Sequence, residues 1–393
     1  RREVQLTQTV KKIGNNAFYD CYWLENIVIP DSVTSIGERA FSYCDKLTVS
    51  VPASLTNIGT DAFFGCKDVI FRTTDTDNPF DIQNGVLVRY LGNEANVVVP
   101  DSVTAVGKGA FSNLTFIKSV TLPDSVTTIG DDAFNNCSNL ESVNIPVGVT
   151  SIGQNAFYGC TSLSSIVIPD GVDSIGQNAF YGCTSLSSIV IPDSVTQLGS
   201  DVFYDCTGLS SVKVGSGVKV LPSYAFQNCR SLVNIDLPDQ LETIGYGAFF
   251  SCRALVSIRI PDSVTSIEGY AFYLCDALRE VQLTQTVKKI GNNAFYDCYW
   301  LENIVIPDSV TSIGERAFSY CDKLTVSVPA SLTNIGTDAF FGCKDVIFRT
   351  TDTDNPFDIQ NGVLVRYLGN EANVVVPDSV TAVGKGAFSN LTF

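Results

Sequence analysis

Thirteen cysteines and a recurring aspartate are the residues of this sequence best equipped for chemistry, and both repeat in step along the chain. Cys137, Cys160, Cys183 and their successors to Cys321 stand 23 residues apart. A thiol can serve as nucleophile, metal ligand or disulfide partner, and the first two uses need a base or further ligands beside it. Histidine, the commonest supplier of both, is absent from all 393 residues. An odd cysteine count in one register is not the spacing of a zinc site or a disulfide framework. After Ala110-Phe111 and after Ala387-Phe388 the cysteine position holds Leu114 and Leu391. A position that accepts leucine is a packing position, so the thiols are expected to be reduced and buried.

The aspartates give a similar answer. Asp31, Asp101, Asp124, Asp170, Asp193, Asp262 and Asp308 each follow a proline. Stacked carboxylates could chelate calcium, but Asp after Pro is also what a turn requires. Asp75, Asp77 and Asp81 in TTDTDNPFD have the spacing of a calcium loop without the glycine and distant glutamate of an EF-hand, and read as solvated loop acids. No metal or cofactor is expected. A serine or cysteine nucleophile would need a lysine or terminal amine as base, and no glycine-rich phosphate loop is present. The chain is therefore read as a protein that binds without catalysing.

These side chains must be positioned by one repeated element. SIGQNAFYGCTSLSSIVIPD occupies residues 151 to 170 and recurs letter for letter at 174 to 193. From Leu140 to Leu301 each 23-residue unit opens on leucine and follows L-x-x-[IV]-x-[IVL]-P-x-x-[VL]-x-x-I-G-x-x-A-F-x-x-C. Ile166 and Ile168 alternate around Val167 as in a half-buried strand, and Pro169, lacking N–H, closes it. Val172 and Ile175 supply further inward side chains, and Ala179, Phe180 and Cys183 are expected on one side of a helical turn. One unit cannot cover its own apolar face. Stacking would place Leu163 on Leu186 and Phe157 on Phe180 in a continuous column.

The pattern resembles the BspA-type (Treponema-like) leucine-rich repeats, whose units run as IVIPDSVTSIGERAFSYCDKL does at 27 to 47. The departures are Gly215 for the proline, Pro222 and Glu268 for the glycine, and Val202 for the alanine. The resemblance implies a leucine-rich-repeat solenoid, an α/β right-handed superhelix with parallel strands on one face and short helical or irregular segments on the other. It also implies a bacterial or protist cell-surface protein involved in adhesion to proteins or cells. It carries over no fixed binding residues.

Residues 1–393 are read as one continuous solenoid, interrupted by lengthened segments at 69–96 and 346–373. In each, Asn-Gly flanked by alternating apolar residues signals a hairpin. Residues 2–116 recur without change as 279–393. Arg89, Tyr90, Arg366 and Tyr367 on the paired hairpins are one candidate binding set, since two copies on a stiff rod would add avidity. The other reading has each hairpin cover a discontinuity in the core. The second candidate set is the outward strand position: Thr121, Asn144, Val167, Val190, Lys213, Asp236, Arg259 and Gln282, in a field of serine hydroxyls. That face could equally be a solvated sheet whose charge pairs contribute little.

Composition narrows the partners. With 41 acidic against 25 basic residues, a net charge of −16 repels phosphate backbones, so no nucleic acid is expected. No apolar run approaches the length of a membrane helix. Neither end carries a polar capping unit, which suggests a piece of a longer array with end-to-end self-association. The functional expectation is an extracellular or cell-surface module binding a protein or glycan ligand. A structural spacer projecting other domains, or an accessory domain of a secreted enzyme, are the alternatives.

Overall fold

The computed structural model describes residues 3–52, 54–55, 57–59, 61–72, 78–349, 355–369 and 371–389. They fall into two compact units, Arg1–Ser187 and Ser188–Phe393. Each unit is a parallel β-solenoid in which successive coils contribute short strands to shared ladders.

The first ladder comes from the predicted strands. In the first unit Glu3–Gln5, Asn26–Val28, Thr48–Pro52 and Asp68–Arg72 pair in that order, and Asn96–Val98, Ser119–Thr121 and Ser142–Val143 form a second run. In the second unit Ser188–Ile191, Ser211–Val214 and Asn234–Asp236 pair, as do Ser257–Arg259, Glu280–Gln282, Asn303–Val305, Thr325–Pro329 and Asp345–Arg349. Alternate side chains such as Ile27, Val120 and Val212 point into the core, because consecutive Cβ atoms take opposite faces. Proline then turns the chain: Val149 N–H donates to Pro146 O at 3.0 Å and Val172 N–H to Pro169 O at 3.1 Å.

A second ladder follows the turn. Thr128–Ile129, Ser151–Ile152 and Ser174–Ile175 pair in parallel, with Ile129 against Ile152 and Ile152 against Ile175. In the second unit Val220–Leu221 through Ser312–Ile313 do the same.

The third side corrects the expected helical turn, for no helix occurs among the described residues. Asn155 has φ 53° and Gly159 φ 69°, left-handed values that break any right-handed run. Between them the chain makes successive tight turns: Tyr158 N–H donates to Asn155 O at 3.1 Å and Cys160 N–H to Phe157 O at 3.2 Å. Other amides on this side reach the neighbouring coil, as Phe157 N–H does to Ala179 O at 2.7 Å. The apolar faces still meet as expected. Rings of Phe111, Phe134, Phe157 and Phe180 stack at 4.9, 5.1 and 5.3 Å, all fully buried. Burying each ring is worth about 2 kcal/mol, so the column is a main source of cohesion within the unit.

The lengthened segments are partly ladder. Asp68–Arg72 pairs with Thr48–Pro52, so 69–72 continue the solenoid; the hairpin proper is Phe80–Gln83 with Val86–Tyr90, turning at Asn84 (φ 52°) and Gly85 (φ 80°). Its second strand pairs with Ala105–Val106 in the second ladder. The later copy pairs Phe357–Gln360 with Val363–Tyr367, and the latter with Ala382–Val383.

Candidate binding surface

All eight proposed strand-face residues lie outward and exposed. Parallel pairing aligns several of them, with Val190 opposite Lys213, Lys213 opposite Asp236, and Arg259 opposite Gln282, whereas Asn144 and Val167 lie outside the strands. In the first unit Thr121 pairs with Val98, and Val167 is 78% exposed. Not all of these side chains are free to meet a ligand. Asn144 Oδ1 accepts from Leu122 N–H at 2.7 Å while its Nδ2 donates to Leu122 O at 2.9 Å, so its amide clamps the adjacent strand. Arg259 donates to Asp239 Oδ1 at 3.0 Å, and that bond, with the carboxylate charge, raises its pKa. Such exposed pairs fix orientation more than they stabilise.

One group of exposed residues gave no signal beyond its composition. Trp300 occupies a position that holds serine in Ser162 and alanine in Ala254 and Ala277. It is 42% exposed and packs edge-on against Tyr299 at 5.2 Å. Arg279 lies over the indole at 4.9 Å and Lys323 at 5.8 Å, while Arg279 also meets Glu302 at 3.4 Å. A shallow groove lined by Arg279, Gln282, Glu302 and Val305 joins this cluster to the strand face.

The hairpin candidates are placed differently from expectation. Tyr90 and Tyr367 are each only 1% exposed, so neither ring is offered to a ligand. Tyr90 takes the place of a coil's phenylalanine: its N–H donates to Ala110 O at 2.9 Å and its ring lies 5.7 Å from that of Phe111. Arg89 and Arg366 are half-buried, donating to Leu55 O and Leu332 O and lying over Phe71 and Phe348 at 4.7 and 5.4 Å. Apolar side chains needed cover, and the solenoid core supplies it.

The cysteines are free thiols, buried except for the partly exposed Cys21. Cys137 Sγ donates to Phe111 O at 3.0 Å and Cys160 Sγ to Phe134 O at 3.2 Å, each bonding the preceding coil. Burial pushes the thiols of Cys137 and Cys183 up to about 12, far from the thiolate a nucleophile needs. Leu391 lies outside the described residues.

Three of the seven turn acids face cations or amides of the protein itself. Asp31 meets Arg72 at 2.6 Å, Asp308 meets Arg349 at 2.5 Å, and Asp193 accepts from Ser216 N–H at 2.7 Å. Among the described residues no group of three potential ligands could hold a metal ion. Asp75 and Asp77 lie outside those residues.

Comparison with known proteins agrees with this geometry. The BspA type leucine-rich-repeat region matches in six copies over residues 2–78, 89–210 and 219–347, leaving out the hairpin turn. A solved leucine-rich repeat protein from Bacteroides ovatus is 33% identical, with 83% of each chain covered and a TM-score of 0.54. One from Eubacterium ventriosum shares the fold at 22% identity, covering 90% of this chain and 86% of its own with a TM-score of 0.50. A leucine rich cell surface protein from Faecalibacterium prausnitzii is 30% identical over 77% of this chain and 78% of its own, with a TM-score of 0.46. No curated protein sequence matches the chain. The chain belongs to the BspA-type leucine-rich-repeat family.

Proposed function

We propose that the protein is a non-catalytic binding module of the extracellular or cell-surface space, engaging a protein or glycan through the outward face of its first ladder. The observation that carries this reading is the composition of that face. Large apolar side chains stand exposed in register with charges and hydroxyls, as Val190 (57% exposed) does opposite Lys213. Flat sheets with mixed apolar and polar character suit extended partners, and repeat proteins commonly bind through such surfaces. In the second unit the Trp300 cluster widens the face with an aromatic platform and two cations, a combination suited to sugar rings or acidic side chains. Surface placement rests on family membership, and no helix among the described residues is long and apolar enough to cross a membrane. The test is a screen of matrix proteins, glycans and intact cells, comparing wild type with a Lys213→Ala, Asp236→Ala, Arg259→Ala, Gln282→Ala variant and separately with Trp300→Ala. At least one variant is expected to lose most of the binding while keeping the wild-type circular dichroism. Undiminished binding by both would remove this face from consideration.

A further inference from the structure

The chain has two tryptophans, Trp23 and Trp300, and they are equivalent positions in the two copies of the repeated segment. Both are exposed, as are the tyrosines before them, Tyr22 and Tyr299. The fold does not require a ring there, since the tryptophan position holds Ser162 and Ala254 in other coils. Three residues further on, Asn26 and Asn303 line a shallow groove on the first ladder, of about 390 Å³ in the first unit and 540 Å³ in the second. The same side chains recur in both: Glu3, Gln5 and Val28 in one, Glu280, Gln282 and Val305 in the other. An aromatic pair beside a polar groove is thus present once in each unit.

The charges at this place cancel. In the second unit two cations, Arg279 and Lys323, are matched by two carboxylates, Glu280 and Glu302. Arg279 meets Glu302 at 3.4 Å and lies over the Trp300 indole at 4.9 Å, while Gln282 Nε2 donates to Glu280 Oε1 at 3.2 Å. A site without surplus charge favours an uncharged partner, and the net charge of −16 repels polyanions. A peptide strand would seek main-chain partners, which a sheet edge offers and a sheet face does not. Glutamine, asparagine and glutamate instead present planar groups that make two hydrogen bonds at once, as adjacent hydroxyls of a sugar ring require. Indole, phenol and the exposed Val305 supply apolar surface for the C–H face of the same ring. Lys323 lies over Tyr299 at 5.6 Å, but such exposed contacts are weak and the ammonium gives way to a sugar.

Granting the strand face its binding role, we propose that both sites take a neutral polysaccharide, its hydroxyls on the groove amides and carboxylates and its C–H faces against the tyrosine–tryptophan pair. A polymer of repeating sugars presents the same group to both sites, which gives the duplicated arrangement a use.

The experiment titrates the full chain with soluble xylan, galactomannan, hydroxyethylcellulose and dextran, and with polygalacturonate as the polyanion. Tryptophan fluorescence is the readout, because the chain has no tryptophan outside the two sites. At least one neutral polymer is expected to change it, with polygalacturonate more than tenfold weaker. Calorimetry with the hexasaccharide of that polymer should count two sites per chain, one in Trp23→Ala or Trp300→Ala, and none in the double variant, each checked by circular dichroism. Trp23→Phe with Trp300→Phe should restore binding. The proposal is overturned if no neutral polymer binds, if polygalacturonate binds as tightly as the best of them, or if the folded double alanine variant binds like wild type. The comparison of polymers needs no mutation, so a variant that fails to fold leaves the answer available. A chain that binds matrix protein through the strand face but no polysaccharide keeps that face as a binding surface and loses only this ligand; a chain that binds nothing loses both.

Discussion

At the scale of the residue, the fold is decided by which positions tolerate a left-handed backbone. The residue before each cysteine takes positive φ whatever its type: Asn136 at 58°, Gly159 at 69°, Gly182 at 70°, Leu274 at 57° and Tyr320 at 61°. Asparagine and glycine suit that conformation, while leucine and tyrosine adopt it because the coils on either side dictate the path. Two glycines separate conformational cost from steric cost. A Cβ on Gly182 would meet nothing nearer than Gly159 Cα at 3.9 Å, whereas one on Gly159 would lie 2.6 Å from Asn136 Oδ1. Gly182→Ala should therefore lose about 1 kcal/mol in urea unfolding, the price of the left-handed backbone alone. Gly159→Ala should lose distinctly more, since the Asn136 side chain must move as well. Equal losses would mean that the coils do not approach as closely as this arrangement requires.

At the scale of the element, the two ladders differ in how far they could be read. The first was legible because stretches such as Ile189, Val190 and Ile191 alternate over enough residues for a period of two to show before Pro192 ends it, although the same letters at Ile166–Ile168 form no strand. The second was not, for two residues such as Ser151–Ile152 carry no period, and only the pairing of neighbouring coils makes them a strand. The helical turn was misread because Ala179, Phe180 and Cys183 share a face at a spacing common to helices and to tight turns. Asn178, at φ 54°, held the decisive signal. Of the candidate surface, outward exposure could be read from alternation, whereas the Asn144 clamp, the cation-bearing Trp300 and the inward Tyr90 depend on neighbours 21 or more residues away or on core geometry. Ladder side chains also make the stability pH-dependent. Burial raises the pKa of Glu268, but hydrogen bonds from Lys289, at 2.8 Å, and Ser266 outweigh it and leave the carboxyl below its ordinary value. A depressed pKa contributes stability above the unfolded-state value and loses it as pH falls through the folded-state value. Glu268→Gln should accordingly melt below wild type at pH 7, with the gap closing under acid conditions below about pH 4. A gap of constant size across that range would show that charge is not its source.

At the scale of the whole molecule, each coil takes its structure from its immediate neighbours. The duplicated segments make the point: Arg72 donates to Ser50 O and Arg349 to Ser327 O, each on the adjacent coil at the same spacing of 22 residues. Identical sequence in a similar local setting gives the same clamp in both units. In such a quasi-one-dimensional array stability is a sum over coils and the interfaces between neighbours. The repeated stretch permits a clean test. Removing residues 151–173 joins Thr150 directly to Ser174, and the coil that follows begins with the same 20 residues as the one removed. The preceding coil then meets an unchanged surface: Thr128–Ile129 finds Ser174–Ile175 in place of Ser151–Ile152, and Phe134 finds Phe180 in place of Phe157. This shortened protein should fold with wild-type circular dichroism per residue and nearly the parental melting temperature. Removing only 151–170, three residues fewer, leaves Gly171, Val172 and Asp173 between Thr150 and Ser174 and lengthens the turn that should lead straight into the second ladder. That variant should melt lower than its in-register counterpart. If the two deletions behave alike, stability in this protein does not depend on coil register, and the nearest-neighbour account fails.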